Sequence, residues 1–484
     1  MASTNHIIND KPLTTIPGSY GHPFFGAIKD RHDFFYHQGR DQFFAAKIKK
    51  YNSTVIRTNM PPGPFISSNP RVVALLDAIS FPILFDNSKV EKRNVLDGTF
   101  MPTTAFTGGY RVCAYLDTDE PAHAALKTFF ISTIAKRKEL FLPLFQNTLA
   151  ECFTEIENNL SSAKTATASL NDAVSSASFN FMFRLLCNNK DPAETKLGSE
   201  GPKLFDTWLL FQLAPLATLG LPKIFNYIED FLIRTVPFPA LFAKSSYNKL
   251  HEAFSANAGK LLEEAEKAGI ERNEAIHNII FMAGFNAYGG LKNQFPTLMK
   301  WVGLGGEKLH KEIAAEVRSI VKEEGGITLK GLERMALVKS IVYEAMRIEP
   351  AVPYQYAKAR EDIIVNSHDN SFEIKKGEMI FGYQPFATKD SRIFEKAEEF
   401  VARRFVGEDG EKLLKYVVWS NGRETEEPAP ENKQCPGKNL VILLCRVFLV
   451  EFFLRYDTFE FTYKNIVLGP NVTITSLTKA SSTF

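Results

Sequence analysis

The stretch NGRETEEPAPENKQCPGKNLVILLC, Asn421 to Cys445, decides how the rest of the chain is read. Its first half is polar and interrupted by Pro428, Pro430 and Pro436. The run that follows, out to Tyr456, is apolar with helical periodicity. Cys435 stands at the boundary, at or just before a helix N-terminus. Backbone N–H groups and the helix dipole there lower a thiol pKa and favour the thiolate. Gly437 has no Cβ, so a flat, bulky ligand can approach the backbone. A lone cysteine is more often an inert buried thiol. Both readings stand until other residues are weighed.

The whole chain has 484 residues, 45% hydrophobic and 23% charged, which is globular composition with ample core. It shows no Gly/Ser linker, long charge block or repeat, so residues 1–484 are read as one domain. A net charge of +2 gives no argument for a nucleic-acid partner. The five cysteines (113, 152, 187, 435 and 445) are few, scattered and odd in number, which fits a reducing compartment better than a disulfide framework. The N-terminus MASTNHIINDKPLTTIPGSYG lacks the apolar core of a signal peptide or anchor and the Arg/Ser character of a transit peptide. A cytoplasmic or peripheral location is therefore expected. The apolar stretches 207–222 and 275–291 are broken by Pro215, Gly220 and Pro222 and by Asn278, Asn286 and a Gly pair. They read as buried helices rather than membrane spans. The first of them, with FLIRTVPFPALFAK (231–244), leaves contact with a membrane or lipid body open.

Helical patterns are expected at 121–160, 170–187, 204–219, 249–267, 273–295, 307–323, 329–347 and 437–456. Strand-like alternation is confined to 54–58, 362–366, 371–374 and 458–463. The fold class is mainly α with small β sheets.

Two further motifs change the weight on Cys435. In VYEAMRIEP, Glu344 and Arg347 stand at i and i+3 in an otherwise apolar helical segment, where they can pair. In EEFVARRF, Arg404 can complete a three-way ion network with them. The ordered set of Glu-x-x-Arg, Phe-x-x-x-Arg-Phe and Cys-x-Gly before a long apolar helix resembles the cytochrome P-450 superfamily. That resemblance implies the P-450 fold and haem b, its iron held by the Cys435 thiolate. The usual superfamily signature has Gly four residues before the Cys with an Arg between. Here Gly422 stands thirteen before it, and Lys433 replaces the Arg. The stretches NMPPGPFISSNP, GYQPFATKD, KYVVWSNGRETE and NKQCPGK resemble the plant branch that metabolises fatty-acid hydroperoxides. That branch holds allene oxide synthases, hydroperoxide lyases and divinyl ether synthases, and the resemblance runs from IPGSYG to LTKAS.

The segment AGFNAYGG (283–290) agrees with that branch. A monooxygenase needs an acid next to a Thr on its long central helix, to protonate bound dioxygen. Asn286 cannot relay a proton and Ala287 has no hydroxyl, so O2-activating machinery looks absent. Asn286 can still hydrogen-bond a hydroperoxide oxygen. His123 and Lys127, at i and i+4, match family positions that receive the haem propionates, as do Lys92 and Lys433. Each Lys is otherwise an ordinary surface charge. Lys292 matches a position near the substrate, where it can reach a carboxylate or polar tail. Leu96 stands where allene oxide synthases carry Phe, whose ring can interact with an electron-poor carbon intermediate.

On Leu96 the expected activity is that of a hydroperoxide lyase. The substrate O–O bond is split, the alkoxyl radical adds to the adjacent double bond, and a hemiacetal falls apart into an aldehyde and an oxo-acid. No O2, reductant or redox partner is consumed. The alternatives are an allene oxide synthase, a divinyl ether or epoxyalcohol synthase, a reductase-dependent monooxygenase, and a haem protein that binds lipid without turning it over.

Overall fold

The computed structural model describes residues 7–8, 11–162, 166–466 and 469–481. The N-terminal reading covers residues 1–21, of which 1–6 and 9–10 lie outside the described residues. The architecture is mainly helical with three small sheets. Its main apolar cluster is built around one long element, residues 272–304, called here the central helix. That element runs as helix Arg272–Phe281, a π segment Met282–Tyr288 and helix Gly289–Leu304. The Glu271 carboxylate starts it by accepting the N–H groups of Asn273 at 3.0 Å and Glu274 at 3.1 Å. Helices Leu170–Leu186, Ala336–Ile348 and Lys438–Arg455 pack around its second half. Phe295 stacks on Phe448 with centroids 4.8 Å apart, which fixes the central helix against Lys438–Arg455. Apolar residues run round every face of Lys438–Arg455, so the fold buries it on all sides.

The expected helix over 121–160 is two helices, Pro121–Lys136 and Lys138–Ser161. Arg137, at φ −107° and ψ 5°, turns the chain between them, and its guanidinium pairs with Glu264 at 3.3 Å. The segment expected at 249–267 divides likewise into Leu241–Asn257 and Gly259–Lys267.

The largest sheet holds more strand than the alternation indicated. Its order is Val55–Asn59, Arg71–Leu75, Met379–Tyr383, Tyr354–Ala359, Val90–Glu91. Met379–Tyr383 runs parallel to Arg71–Leu75 and antiparallel to Tyr354–Ala359, with Phe381 opposite Tyr356. All five residues of Met379–Tyr383 are buried. A strand covered on both faces has no polar face to alternate with, which is why the pattern missed it.

Helix Asn226–Arg234 is inside out. Asn226, Glu229, Asp230 and Arg234 are buried, whereas Tyr227, Ile228, Phe231 and Leu232 are 56–68% exposed. Buried charge pairing makes this arrangement tenable. Arg31 grips Asp230 through Nε at 2.8 Å and Nη2 at 2.7 Å, and Arg234 pairs with Glu229 at 3.2 Å. Ile224, just before this helix, is exposed too, as are Phe24 and Phe25 at the start of the helix that carries Arg31. Among the described residues, no helix is long and apolar enough to cross a membrane.

Candidate active site

Cys435 lies two residues before Gly437, the N-cap of helix Lys438–Arg455. Residues 421–434, which contain the inserted RETEEPAPE (423–431), fold back as a loop. Asn421 takes φ 64°, and Trp419 donates its N–H to the Gly422 carbonyl at 2.8 Å. A Cβ on Gly422 would stand 2.6 Å from the Gln434 side chain, so only glycine fits there. Gln434 Nε2 donates to the Arg423 carbonyl at 2.7 Å, and Cys435 N–H to the Ser420 carbonyl at 3.3 Å. Lys438 is fully buried and gathers the loop from the other side. Its ammonium donates to the carbonyls of Glu424 at 2.7 Å and Glu426 at 2.6 Å. Sequence reasoning passed over Lys438, yet a lysine heading an apolar helix opposes the helix dipole and so needs another partner.

The Cys435 thiol pKa is raised, not lowered. Burial dominates and outweighs both the Gly437 N–H and the Lys127 charge, which favour the thiolate. The helix-terminus argument has the right sign but is the smaller effect. A Cβ on Gly437 would lie 3.8 Å from the Cys435 sulfur, so glycine leaves that approach open.

Around this loop stand three lysines and a histidine. Lys92 and Lys127 are 4% and 2% exposed, Lys433 is half-buried, and His123 is 1% exposed. Lys127 donates to the Asn432 carbonyl at 3.1 Å and to that of Gln434. Lys433 donates to the carbonyls of Cys113, Ala114 and Leu116 at 3.3, 3.0 and 2.6 Å. Lys92 meets the side-chain oxygens of Gln355 at 3.2 Å and Asn421. Among the described residues, none of the three forms an ion pair with a carboxylate. The cost shows in their basicity. Burial, with the Lys433 charge added, pushes Lys92 down to about 7, and burial pushes Lys433 down to about 8. His123 falls to about 3, chiefly by burial and then by the charges of Lys433 and Lys127, and its Nδ1 has no hydrogen-bond partner. Buried cations with only neutral acceptors, beside an orphaned ring nitrogen, call for an anion. A group with two carboxylates and an iron for the sulfur fits this donor set, and haem is such a group.

The central helix joins this cluster through a residue that sequence reasoning treated only as an apolar break. Asn278 Oδ1 accepts the Cys113 N–H at 2.9 Å, so the turn that holds Lys433 is pinned to the helix. Asn286 and Ala287 both lie in the π segment, a distortion often found at functional sites. Asn286 is exposed while Gly284 and Tyr288 beside it are buried. Lys292 lies one turn past that segment and pairs with Asp206 at 2.5 Å. Leu96 is half-buried against the main cluster, on a turn closed by its N–H to the Phe100 carbonyl at 2.8 Å. Glu344, Arg347 and Arg404 meet in a buried network: Arg347 Nε lies 2.7 Å and Arg404 Nε 2.9 Å from Glu344 Oε2.

Residues 306–473 match the profile of the family described as Cytochrome P450. Over 471 residues, 97% of this chain and 95% of the relative, it is 52% identical to "Allene oxide synthase 3" of Solanum lycopersicum. It is 50% identical over 477 residues, 98% of both chains, to "Divinyl ether synthase CYP74D1" of the same species. The chain belongs to the CYP74 family of hydroperoxide-metabolising cytochromes P450. Membership brings haem iron with a cysteine thiolate ligand. "Allene oxide synthase 1, chloroplastic", also of Solanum lycopersicum, is 51% identical over 471 residues, 97% of this chain and 87% of the relative. These names correct the lyase expectation. Relatives that match this P450 along nearly its whole length are called allene oxide and divinyl ether synthases. The lyase reading leaned chiefly on Leu96, with the N-terminus free of transit-peptide character beside it. A half-buried leucine presents an apolar surface whichever product leaves, so it does not mark the branch.

Proposed function

We propose that this P450 is an allene oxide synthase. It dehydrates a polyunsaturated fatty-acid hydroperoxide, releasing one water and forming an epoxide on an allenic carbon. Neither oxidant nor reductant enters the balance. One observation carries the use of a ready-made hydroperoxide rather than dioxygen: the π segment of the central helix offers Asn286 and Ala287 where dioxygen activation needs an acid and an alcohol. The names of relatives at about 50% identity support the synthase branch.

In this reading Cys435 holds the iron, and Lys92, His123, Lys127 and Lys433 receive the propionates. Haem so ligated supplies thiolate-supported cleavage of the O–O bond. The exposed Asn286 amide donates to the hydroperoxide and orients it. Ala287 offers no proton, and the apolar wall at Leu96 keeps water from the carbon skeleton. Incubation with linoleate and linolenate hydroperoxides should give ketols, the hydrolysis products of an allene oxide. A divinyl ether as main product would favour the second reading, that of the related divinyl ether synthases. Volatile aldehydes as main product would overturn both. Asn286→Ala should slow hydroperoxide loss roughly five- to 150-fold, for a lost hydrogen bond of about 1–3 kcal/mol, and leave the resting haem spectrum intact. Unchanged turnover would remove Asn286 from the site.

We further infer that the outer face of Asn226–Arg234 rests on a lipid surface, where such substrates partition. Its exposed aromatic and aliphatic residues, held outward by buried ion pairs, support this. Phe231→Asp with Ile228→Asp should abolish co-sedimentation with phosphatidylcholine vesicles while turnover of detergent-dispersed substrate persists. Equal co-sedimentation of variant and wild type would refute the contact.

A further inference from the structure

Helix Asn226–Arg234 meets the first helix, Phe25–His32, and the π segment Asp33–His37 that continues it. Its C-terminal end is fastened. The Arg234 carbonyl accepts the Gly63 N–H at 2.6 Å, and the Arg234 guanidinium lies 3.9 Å from the centre of the Phe35 ring. Arg31, in turn, donates to both oxygens of Asp230. His32 is the residue that does not fit. It is 3% exposed, and among the described residues neither ring nitrogen has a hydrogen-bond partner. Tyr227 covers the ring, with centroids 4.4 Å apart. Asp230 Oδ2 stands 3.6 Å from Nε2, beyond hydrogen-bond reach, and already accepts from Arg31. Leaving this seat would give both nitrogens to water.

The charges around the ring come from several elements. On helix Asn226–Arg234, Asp230 favours the imidazolium, Arg234 opposes it, and Glu229 is taken up by Arg234 at 3.2 Å. On the ring's own helix, Arg31 opposes it, Asp30 pairs with Lys47 at 3.0 Å, and Lys29 pairs with Asp33 at 2.5 Å. On the π segment, His37 opposes it, and the Tyr36 hydroxyl accepts from Arg234. On strand Val55–Asn59, Arg57 is paired with Glu378. Burial outweighs all of these and holds the His32 pKa below its ordinary value. An imidazole in water takes a proton below about pH 6.5, and the seated ring resists it. The contact therefore has its full stability above that pH and loses it as pH falls toward the seated pKa.

We propose that His32 is a pH-sensitive latch: as a neutral ring it lets helix Asn226–Arg234 seat on the first helix, and as an imidazolium it drives that helix off. A ring nitrogen takes the proton from solvent, and no other bond changes. Asp230 cannot hold the imidazolium in place, because Arg31 already uses both of its oxygens. The outward face of Asn226–Arg234 is the apolar one, so the latch sets how firmly the protein presents that face. The device is independent of the reaction proposed above.

Amide hydrogen–deuterium exchange of the holoprotein tests it. His32→Phe keeps a ring and takes no proton. Wild type and variant are compared at the same pH, so the intrinsic exchange rates cancel. Between pH 7.5 and pH 5.5, exchange over residues 226–234 should rise by up to about tenfold more in wild type than in His32→Phe. That is the factor for a ring of pKa about 6.5 that binds its proton only when released. Helix Lys438–Arg455 should show the same wild-type-to-variant ratio at both pH values. His37→Gln removes the neighbouring exposed imidazole and should keep the wild-type response. A larger ring that only loosens the packing shifts exchange alike at both pH values, so it cannot imitate the result. His32→Gln, smaller and equally unable to take the proton, should repeat it. The proposal is wrong if the acid response persists in both His32 variants, if it vanishes in His37→Gln, or if wild type shows none.

Discussion

Cys435→Ser is expected to abolish both turnover and the thiolate-type absorption band of the reduced, CO-bound protein. Serine nearly preserves the shape, and the loop around position 435 is held by other groups. Lys438 fixes it through the Glu424 and Glu426 carbonyls, and Gln434 through the Arg423 carbonyl. The variant should therefore fold, and its far-ultraviolet circular dichroism should match wild type. Cys113 supplies the control. Its thiol is also close to the Lys127 and Lys433 charges, but burial again holds its pKa up. Cys113→Ser should keep the band. A normal thiolate spectrum in Cys435→Ser, or its loss in Cys113→Ser alone, would reassign the ligand.

Arg347→Ala carries the largest expected loss of stability. The Arg347 guanidinium donates to both oxygens of Glu344, at 2.7 and 2.9 Å. It also donates to the carbonyls of Thr388, Ala397 and Glu399, at 3.1, 2.7 and 3.1 Å. One side chain thus joins helix Ala336–Ile348 to the irregular segment 388–399. Removing it leaves a buried carboxylate with Arg404 as its remaining cation and three carbonyls without this donor. Breaking such a buried pair costs about 3–5 kcal/mol, because the surviving carboxylate keeps only part of its compensation. Denaturant unfolding of the holoprotein should show a loss of that size. Glu344→Gln, which keeps the shape, should cost less than Arg347→Ala. A loss below about 1 kcal/mol for Arg347→Ala, the range of surface pairs, would mean that the network contributes little.

What was legible in the sequence was what chemistry forces into view. Two opposite charges one turn apart in an apolar helix must find each other, and Glu344 and Arg347 do. A proline-rich polar loop running into an apolar helix of eighteen residues announces a buried helix with a cysteine at its mouth. The Asn286–Ala287 pair was readable because neither side chain can relay a proton. Other features were hidden for equally physical reasons. Strand Met379–Tyr383, buried on both faces, carries no alternation. The break at Arg137 lies within a stretch whose apolar period runs on. That Lys92, Lys127 and Lys433 stand together with neutral partners is a matter of tertiary contact, invisible in residues more than 300 positions apart. The product branch was misread because it was hung on Leu96, whose side chain is chemically silent.

The central claim is that this chain turns over a lipid hydroperoxide on its own haem-thiolate site, without dioxygen and without an electron donor. The most direct measurement is anaerobic incubation of the purified holoprotein with linolenate hydroperoxide, with no reductant present, following loss of the conjugated diene. Expected is complete consumption over many turnovers, with ketols as the end product. Consumption that begins only when dioxygen, NADPH and a reductase are supplied would contradict the claim.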